Sequence, residues 1–160
     1  MPARVLFVCT GNICRSPTAD GLLRAKVAAA GLENDIIVDS AGTHGYHTGD
    51  APDQRSIATA RRYGVDLSGL RARTVGRDDF GRFDLLIALD RGHRDILLRL
   101  SPPGLAHKVR LLTSFVPGLT PDVPDPYYDD LEAFDEVFHL IERCVDPLLD
   151  HLRTAYLNPP

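Results

Sequence analysis

A short apolar run that stops at a glycine-containing turn is the feature of this 160-residue chain that most restricts its fold. Residues 4–9 read RVLFVC, which is typical of a strand buried on both faces of a parallel sheet. The segment TGNICRS follows at once, and Pro17 stands where a helix can begin. The N-terminal region is therefore predicted to be a strand and a helix joined by a short, tight loop.

The alternation of strand and helix patterns continues along the chain. Further strands are predicted at residues 35–40, 84–89 and 108–112, and helices after Pro17, Asp53 and Asp90. A last helix is predicted from the apolar stripe that steps by three or four residues from Leu131 to Leu152. Such a pattern favours right-handed βαβ units, with helices on both faces of a parallel sheet. We expect one doubly wound α/β domain over residues 1–160, with its ligand site at the strand ends beyond Cys9. Pro147 predicts a kink or break of the last helix near residues 143–147.

The amino-acid composition argues against several classes of protein. Lys and Arg total 18 against 22 Asp and Glu, so the basic surplus of a nucleic-acid binder is missing. No apolar stretch approaches the roughly 20 residues of a membrane span, and the first apolar run is too short for a signal peptide, so we expect a cytoplasmic protein without a membrane partner. The three cysteines are an odd number, which disfavours a disulfide scaffold, and they are accompanied by no CxxC pair or suitably spaced His, which disfavours a zinc site.

The segment C-x5-R-S that follows the first strand can bind an anion and attack it. Gly11 and Asn12 tolerate left-handed backbone, so successive N–H groups can turn inward beside the positive end of the next helix. Arg15 adds a planar fork for two phosphate oxygens. The positive potential of these N–H groups, of the helix end and of Arg15 favours the thiolate form of Cys9, and the Ser16 hydroxyl can donate to its sulfur. Taken singly, Cys9 could instead be a core thiol and Arg15 a solvated side chain, but the combined pattern favours phosphate chemistry.

At this loop the sequence resembles the low-molecular-weight protein tyrosine phosphatases. Their pattern V-C-x-G-N-x-C-R-S-P matches Val8–Pro17 position by position, and Asp39–Gly42 and Asp125–Tyr128 extend the resemblance over the whole chain. The resemblance implies a flavodoxin-like fold with four parallel strands in the order 2-1-3-4. It also implies a covalent cysteinyl-phosphate intermediate and chemistry without a metal or cofactor.

The resemblance also assigns roles to residues. It implies Cys9 as nucleophile, Arg15 as phosphate ligand and Asp125 as general acid and then general base. By itself, the Asp125-Pro pair could be a simple turn, although Asp129 and Asp130 are better candidates for capping the last helix. The implied phosphate- and substrate-binding residues are Thr10, Gly11, Asn12, Ile13, Cys14, Ser16, Tyr46, His47, Tyr127 and Tyr128, and the implied supporting residues are Ser40 and Asp90.

Several of these positions have a second interpretation. Residues 45–49 could be only a mobile surface loop, and Asp90 could cap a helix rather than orient Arg15. Tyr127 and Tyr128 could wall the site, accept phosphate from a tyrosine kinase, or simply pack. Relatives often carry a His where this chain has Leu70, so either another donor or water completes the polar network there, or the loop is less rigid.

Other activities on this scaffold fit less well. Arsenate reductases need further redox cysteines near the site, and Cys144 is predicted to lie in the last helix. Arginine phosphatases carry a small polar residue in place of Ile13, whose bulk better suits a phenyl ring. A flavin-binding module would have no use for the C-x5-R spacing, and a phosphate-binding pseudoenzyme would not need the nucleophile and the acid. We therefore expect phosphotyrosine proteins as partners, and a monomer or weak dimer.

Overall fold

One sheet of four parallel strands organises the chain. In the computed structural model, which describes residues 1–157, the strands lie in the order β2-β1-β3-β4. They are β1 (Ala3–Cys9), β2 (Ile36–Gly42), β3 (Leu85–Ala88) and β4 (Val109–Leu111). The predicted fold class and strand order are confirmed. Because β1 is central, the loop that follows Cys9 emerges between its two neighbours at the carboxyl edge of the sheet.

Five helices cover the sheet on both faces. They are α1 (Arg15–Ala29), α2 (Gln54–Arg62), α3 (Asp79–Arg82), α4 (Arg91–Leu100) and α5 (Leu131–Leu152). Side chains alternate along β1: Val5, Phe7 and Cys9 join the core that α1 and α5 cover, whereas Leu6 and Val8 join the core that α3 and α4 cover. The uninterrupted apolar run of β1 follows from this burial on both faces.

Helix capping agrees with the sequence at three positions. The carboxylates of Asp53, Asp90 and Asp130 accept hydrogen bonds from the first turns of α2, α4 and α5. These caps fix the helix starts near the carboxyl edge of the sheet. Among residues 1–157, no helix is long and apolar enough to cross a membrane.

The last helix corrects one expectation. A kink or break was expected near residues 143–147, but α5 has no break there and runs as one helix through Pro147. Proline removes a single N–H donor, while the buried stripe that includes Phe138, Ile141, Val145 and Leu148 packs against the main core on both sides of it. That packing outweighs the loss of one hydrogen bond.

The short helix α3 and the isolated bridge between Gly42 and Thr74 had no clear sequence signal.

Candidate active site

Residues 9–16, here called the 9–16 loop, curl from the last residue of β1 to the first turn of α1. Asn12 has φ of 60°, the left-handed conformation that this residue tolerates. Gly42 of β2 packs beneath, and a Cβ there would lie 2.7 Å from the Thr10 carbonyl oxygen, so only glycine allows this approach. In the part of the chain that the structure describes, the amides of Thr10 to Cys14 donate no hydrogen bond, and α1 has no side-chain cap. The loop thus offers a ring of N–H donors suited to an anion.

The Cys9 sulfur lies at the start of this loop in a polar network. Its Sγ is 2.9 Å from the Ser16 Oγ. Asn12 Nδ2 donates to the Ser16 Oγ at 2.8 Å and to the Ser40 Oγ at 2.9 Å. Because Asn12 occupies an acceptor position on Ser16, the Ser16 hydrogen remains available for the sulfur. This arrangement stabilises a negative charge on Cys9.

The network is completed without the imidazole that relatives often carry. The backbone N–H of Arg73 donates to Asn12 Oδ1 at 3.1 Å. Leu70, at the position where relatives often have His, is partly buried and packs against the main core. Among the alternatives left open by the sequence, the structure therefore shows another donor, a backbone amide, bonded to the loop-shaping side chain.

Arg15 is almost fully buried, at 4% exposure, and one side of its guanidinium is fixed. Its Nη1 donates to Asp90 Oδ2 at 2.8 Å and to the Val123 carbonyl oxygen at 2.9 Å. The other Asp90 oxygen accepts from the His93 amide at 2.9 Å and caps α4. Asp90 thus has both of the roles that the sequence offered as alternatives. The rigid anchoring leaves Nη2 to face the cavity.

His93 is a residue of this site to which sequence reasoning assigned no role. Its Nε2 lies 2.8 Å from the Thr10 Oγ1 and 3.5 Å from Arg15 Nη2. Its Nδ1 is 3.1 Å from Asp90 Oδ1, yet the geometry there is not that of a hydrogen bond. Burial, together with the Arg15 charge, lowers the pKa of His93 to about 4. The ring is therefore neutral near pH 7, and Nε2 can accept the Thr10 hydroxyl hydrogen.

Asp125 reaches the same site from the loop before α5. Its Oδ1 accepts from the Tyr127 amide at 3.1 Å, and its Oδ2 lies 3.6 Å from Arg15 Nη2. The Asp125 side chain is half exposed, at 49%. The local turn therefore fixes one carboxyl oxygen and leaves the other at the mouth of the cavity, where it can exchange a proton with a bound group.

An open cavity of about 340 Å³ lies above the 9–16 loop. Tyr46 and Tyr128 are exposed at its mouth, whereas Tyr127 is partly buried and packs against the cluster of Ile13, Cys14, Ala72 and Phe134. Tyr127 therefore both packs and lines the cavity. The complete lining is Cys9, Thr10, Gly11, Ile13, Cys14, Arg15, Tyr46, His47, Asp125, Tyr127 and Tyr128. Four other predicted site residues lie outside this lining. Ser16 and Asp90 hydrogen-bond to the lining residues Cys9 and Arg15, whereas Asn12 bonds to Ser16 and to Ser40 behind them.

The two cysteines of the loop have different surroundings. Burial, with the nearby Asp53 charge, raises the pKa of Cys14 to about 12, although a hydrogen bond with Ser56 opposes this. Cys14 is therefore a thiol near neutral pH. Cys9, Cys14 and Cys144 are all free. Only Cys9 combines the polar network with the ring of loop amides.

Comparisons with known proteins agree on one family. The family model described as "Low molecular weight phosphotyrosine protein phosphatase" matches residues 4–156. A low molecular weight protein-tyrosine-phosphatase of Streptomyces coelicolor is 45% identical over 157 residues, covering 96% of this chain and 95% of that protein. The crystal structure of YfkJ from Bacillus subtilis superposes with a TM-score of 0.92 at 36% identity, over 98% of both chains. A protein tyrosine phosphatase from Entamoeba histolytica gives 0.90 at 33% identity, over 94% of this chain and 97% of the other.

Proposed function

Because this chain belongs to the low molecular weight phosphotyrosine protein phosphatase family, we propose that it hydrolyses phosphotyrosine in proteins through a cysteinyl-phosphate intermediate. One observation carries the proposal. The Cys9 sulfur, hydrogen-bonded to Ser16, lines the same cavity as Arg15 Nη2 and the half-exposed Asp125 carboxyl group. A nucleophile, an anion ligand and a proton donor thus meet around the ring of loop amides.

The first step transfers the phosphoryl group to sulfur. The loop amides and Arg15 bind the phosphate oxygens, and the Cys9 thiolate attacks phosphorus. The bond between phosphorus and the tyrosine oxygen breaks as the bond from sulfur to phosphorus forms. Protonated Asp125 gives its proton to the departing phenolate, so tyrosine leaves as a neutral phenol.

The second step releases phosphate. Asp125, now a carboxylate, removes a proton from water as the water oxygen attacks phosphorus. The bond between sulfur and phosphorus breaks, and the thiolate returns with the Ser16 hydroxyl donating to it. Inorganic phosphate leaves, and the Asp125 carboxyl group is again protonated. The same residue therefore serves both steps in opposite directions.

The cavity walls favour a flat aromatic ring as the group that carries the phosphate. Ile13 gives the wall next to the loop an aliphatic surface, and Tyr46 and Tyr127 add aromatic surface around the mouth. Such walls match a phenyl ring better than a charged, planar guanidinium, which would need carboxylate partners along its edges. Phosphotyrosine proteins are therefore the proposed substrates, in preference to phosphoarginine proteins.

The test is phosphate release from matched peptides that carry phosphotyrosine or phosphoarginine. Wild type should release phosphate from the phosphotyrosine peptide, whereas Cys9→Ser should not. Trapping with labelled substrate in acid should show one phosphoryl group on wild-type protein and none on Cys9→Ser. Preference for phosphoarginine would overturn the substrate assignment, and turnover without a trapped phosphoenzyme in burst experiments would overturn the covalent mechanism.

A further inference from the structure

Asp20, in the second turn of α1, is a buried carboxylate for which the steps above have no use. It is fully buried, and its Oδ1 accepts from Arg24 Nε one helical turn later. Arg24 Nη2 in turn donates to the Val38 carbonyl oxygen on β2 at 2.6 Å. The second carboxylate oxygen, Oδ2, has no hydrogen-bond partner of good geometry among residues 1–157. A buried carboxylate oxygen that accepts no hydrogen bond lowers the stability of the folded protein.

The neighbouring Ser40 hydroxyl has a hydrogen for which residues 1–157 show no acceptor. Its oxygen accepts from Asn12 Nδ2, and an amide nitrogen can only donate, so the Ser40 hydrogen must point elsewhere. The Ser40 hydroxyl is near enough to lower the pKa of the Asp20 carboxyl group, although no contact between the two among residues 1–157 meets the geometry of a hydrogen bond. A donor that lacks an acceptor therefore lies beside an acceptor that lacks a donor. The simplest arrangement of the hydrogens pairs the two.

We propose that Asp20 is a positioning residue that sets the direction of the hydrogen bonds leading to Cys9. The carboxylate draws the Ser40 hydrogen to itself, so the Ser40 lone pairs face the Asn12 amide nitrogen. That nitrogen is thereby held toward Ser16, whose own hydrogen turns to the Cys9 sulfur. A carboxylate suits this role because it cannot donate and so cannot reverse the chain.

Two contacts then lock the Asn12 side chain from opposite ends. The Arg73 N–H, a pure donor, requires Oδ1 on its side, and Ser40, held by Asp20, requires Nδ2 on the other. Without Asp20, the Ser40 hydroxyl can rotate its hydrogen toward Asn12. One of the two contacts that orient the Asn12 side-chain amide is then lost. The polar network would then stabilise the Cys9 thiolate less well, both as attacking and as leaving group.

The ion pair with Arg24 favours the charged form of Asp20. Burial raises the pKa of Asp20, and the nearby Asp39 charge adds to this, whereas Arg24 and the Ser40 hydroxyl oppose it. Arg24 is itself half exposed, so the ion pair extends from the buried carboxylate to the surface. A neutral amide at position 20 would have no need of Arg24 and could donate to Ser40. Asp20→Asn is therefore the substitution that reverses the proposed direction with the least change of shape.

The experiment measures the Cys9 thiolate directly, by the rate of iodoacetamide alkylation against pH. Cys14 and Cys144 do not interfere, because burial raises the pKa of Cys14 to about 12 and that of Cys144 to about 11. We expect Asp20→Asn to move the midpoint of Cys9 alkylation to higher pH, with about 3- to 10-fold less thiolate at acid pH. Ser40→Ala, which breaks the link to Asp20, should shift the midpoint in the same direction.

The double variant Asp20→Asn/Ser40→Ala separates positioning from general damage. If Asp20 acts through Ser40, the double variant should match Ser40→Ala, because without the Ser40 hydroxyl a change at Asp20 no longer affects Asn12. Shifts that add, or an Asp20→Asn midpoint equal to wild type, would overturn the proposal. Asp20→Ala, which places no amide beside Ser40, gives the same comparison if Asp20→Asn does not fold. The proposal rests on the proposed function for its catalytic meaning, but alkylation needs no substrate. A wild type that fails to hydrolyse phosphotyrosine but shows this coupling would therefore contradict only the proposed function.

Discussion

Arg15 Nη2 lies 3.6 Å from Asp125 Oδ2, so the proposed phosphate ligand and the proposed acid form an ion pair at the mouth of the cavity. The opposite edge of the guanidinium is fixed, since Nη1 donates to Asp90 and to the Val123 carbonyl. A phosphate that binds the loop amides must therefore meet Nη2 from the same side as Asp125. In the proposed mechanism, substrate binding would exchange the Asp125 carboxylate for phosphate oxygens on Arg15 and leave Asp125 beside the departing group.

Cys9→Ser should abolish turnover and leave binding intact. The serine hydroxyl is a far weaker nucleophile than a thiolate, but the loop amides and Arg15 are unchanged. Steady-state phosphate release and calorimetric binding of a phosphotyrosine peptide measure the two properties separately. Substantial activity in Cys9→Ser would exclude Cys9 as the nucleophile.

Arg15→Lys should lose about 100-fold or more in kcat/KM, although the positive charge is kept. A lysine ammonium is a point charge that cannot hold Asp90, Val123 and phosphate oxygens at once. Kinetics with a phosphotyrosine peptide check this, and thermal unfolding controls for the loss of the buried ion pair. Near-normal kinetics would mean that Arg15 does not bind the phosphate.

The fold could be predicted from the sequence because its signals are local. The apolar run of β1, the C-x5-R-S loop and the caps at Asp53, Asp90 and Asp130 each lie within a few residues of one another. The continuity of α5 through Pro147 was not predicted, since it depends on packing against distant elements rather than on the local chain.

The parts of the site that escaped prediction are contacts between distant segments. His93 meets Thr10 only because β3 lies beside β1, which places the first turn of α4 next to the 9–16 loop. Its position three residues after the cap Asp90, at the end of a central strand, was the one signal available. Asp20 looks like an ordinary helix residue in the sequence, and only the packing of α1 on β2 brings it to Ser40.

His93 should make folding stability sensitive to acid. Its pKa falls from 6.5 to about 4 on folding, so between these values the unfolded chain binds a proton that the folded chain does not. The contribution of the neutral ring to stability is thus complete above about pH 6.5 and is lost as the pH falls toward 4. The expected loss is of the order of 2 to 3 kcal/mol, since each pH unit is worth about 1.4 kcal/mol.

His93→Gln is the matched comparison, because its side-chain oxygen can still accept from Thr10 and does not titrate. Urea unfolding of both proteins at several pH values between 4 and 8 gives the difference, in which the other titrating groups largely cancel. The difference in free energy of unfolding between wild type and His93→Gln should change with pH below 6.5 and stay constant above it. A constant gap over the whole range would show that His93 is not held neutral by the fold.

Cys14 should protect Cys9 from irreversible oxidation. Peroxide converts a reactive thiolate to a sulfenic acid, which condenses with a nearby thiol to a disulfide and releases water. Cys14 lies in the same curled loop, close enough to Cys9 for a charge on Cys9 to raise the pKa of Cys14. Wild type treated with peroxide should recover activity with dithiothreitol, whereas Cys14→Ser should recover less. Equal recovery would mean that Cys14 only fills space behind the loop.

Asp125→Asn should slow phosphoenzyme formation in proportion to how poor the leaving group is. Loss of a general acid typically costs about 10²- to 10⁴-fold, and the loss is largest where the departing oxygen most needs a proton. Alkyl phosphates and phosphotyrosine should therefore suffer more than p-nitrophenyl phosphate, whose phenolate leaves without full protonation. Rapid-mixing measurement of the first turnover is needed, because Asp125 also assists hydrolysis of the intermediate in the proposed scheme.

The pH profile gives a second and independent readout of Asp125. An acid must carry its proton, so wild-type phosphoenzyme formation should decline on the alkaline side as Asp125 ionises, and this decline should be absent in Asp125→Asn. Asp129→Asn is the matched control, since Asp130 rather than Asp129 caps α5 and Asp129 does not line the cavity. Equal losses for good and poor leaving groups, with the alkaline decline unchanged, would show that Asp125 only shapes its turn through the Tyr127 amide. In that case Asp129, in the same loop, would be the next candidate for the acid, and its variant would show the leaving-group dependence instead.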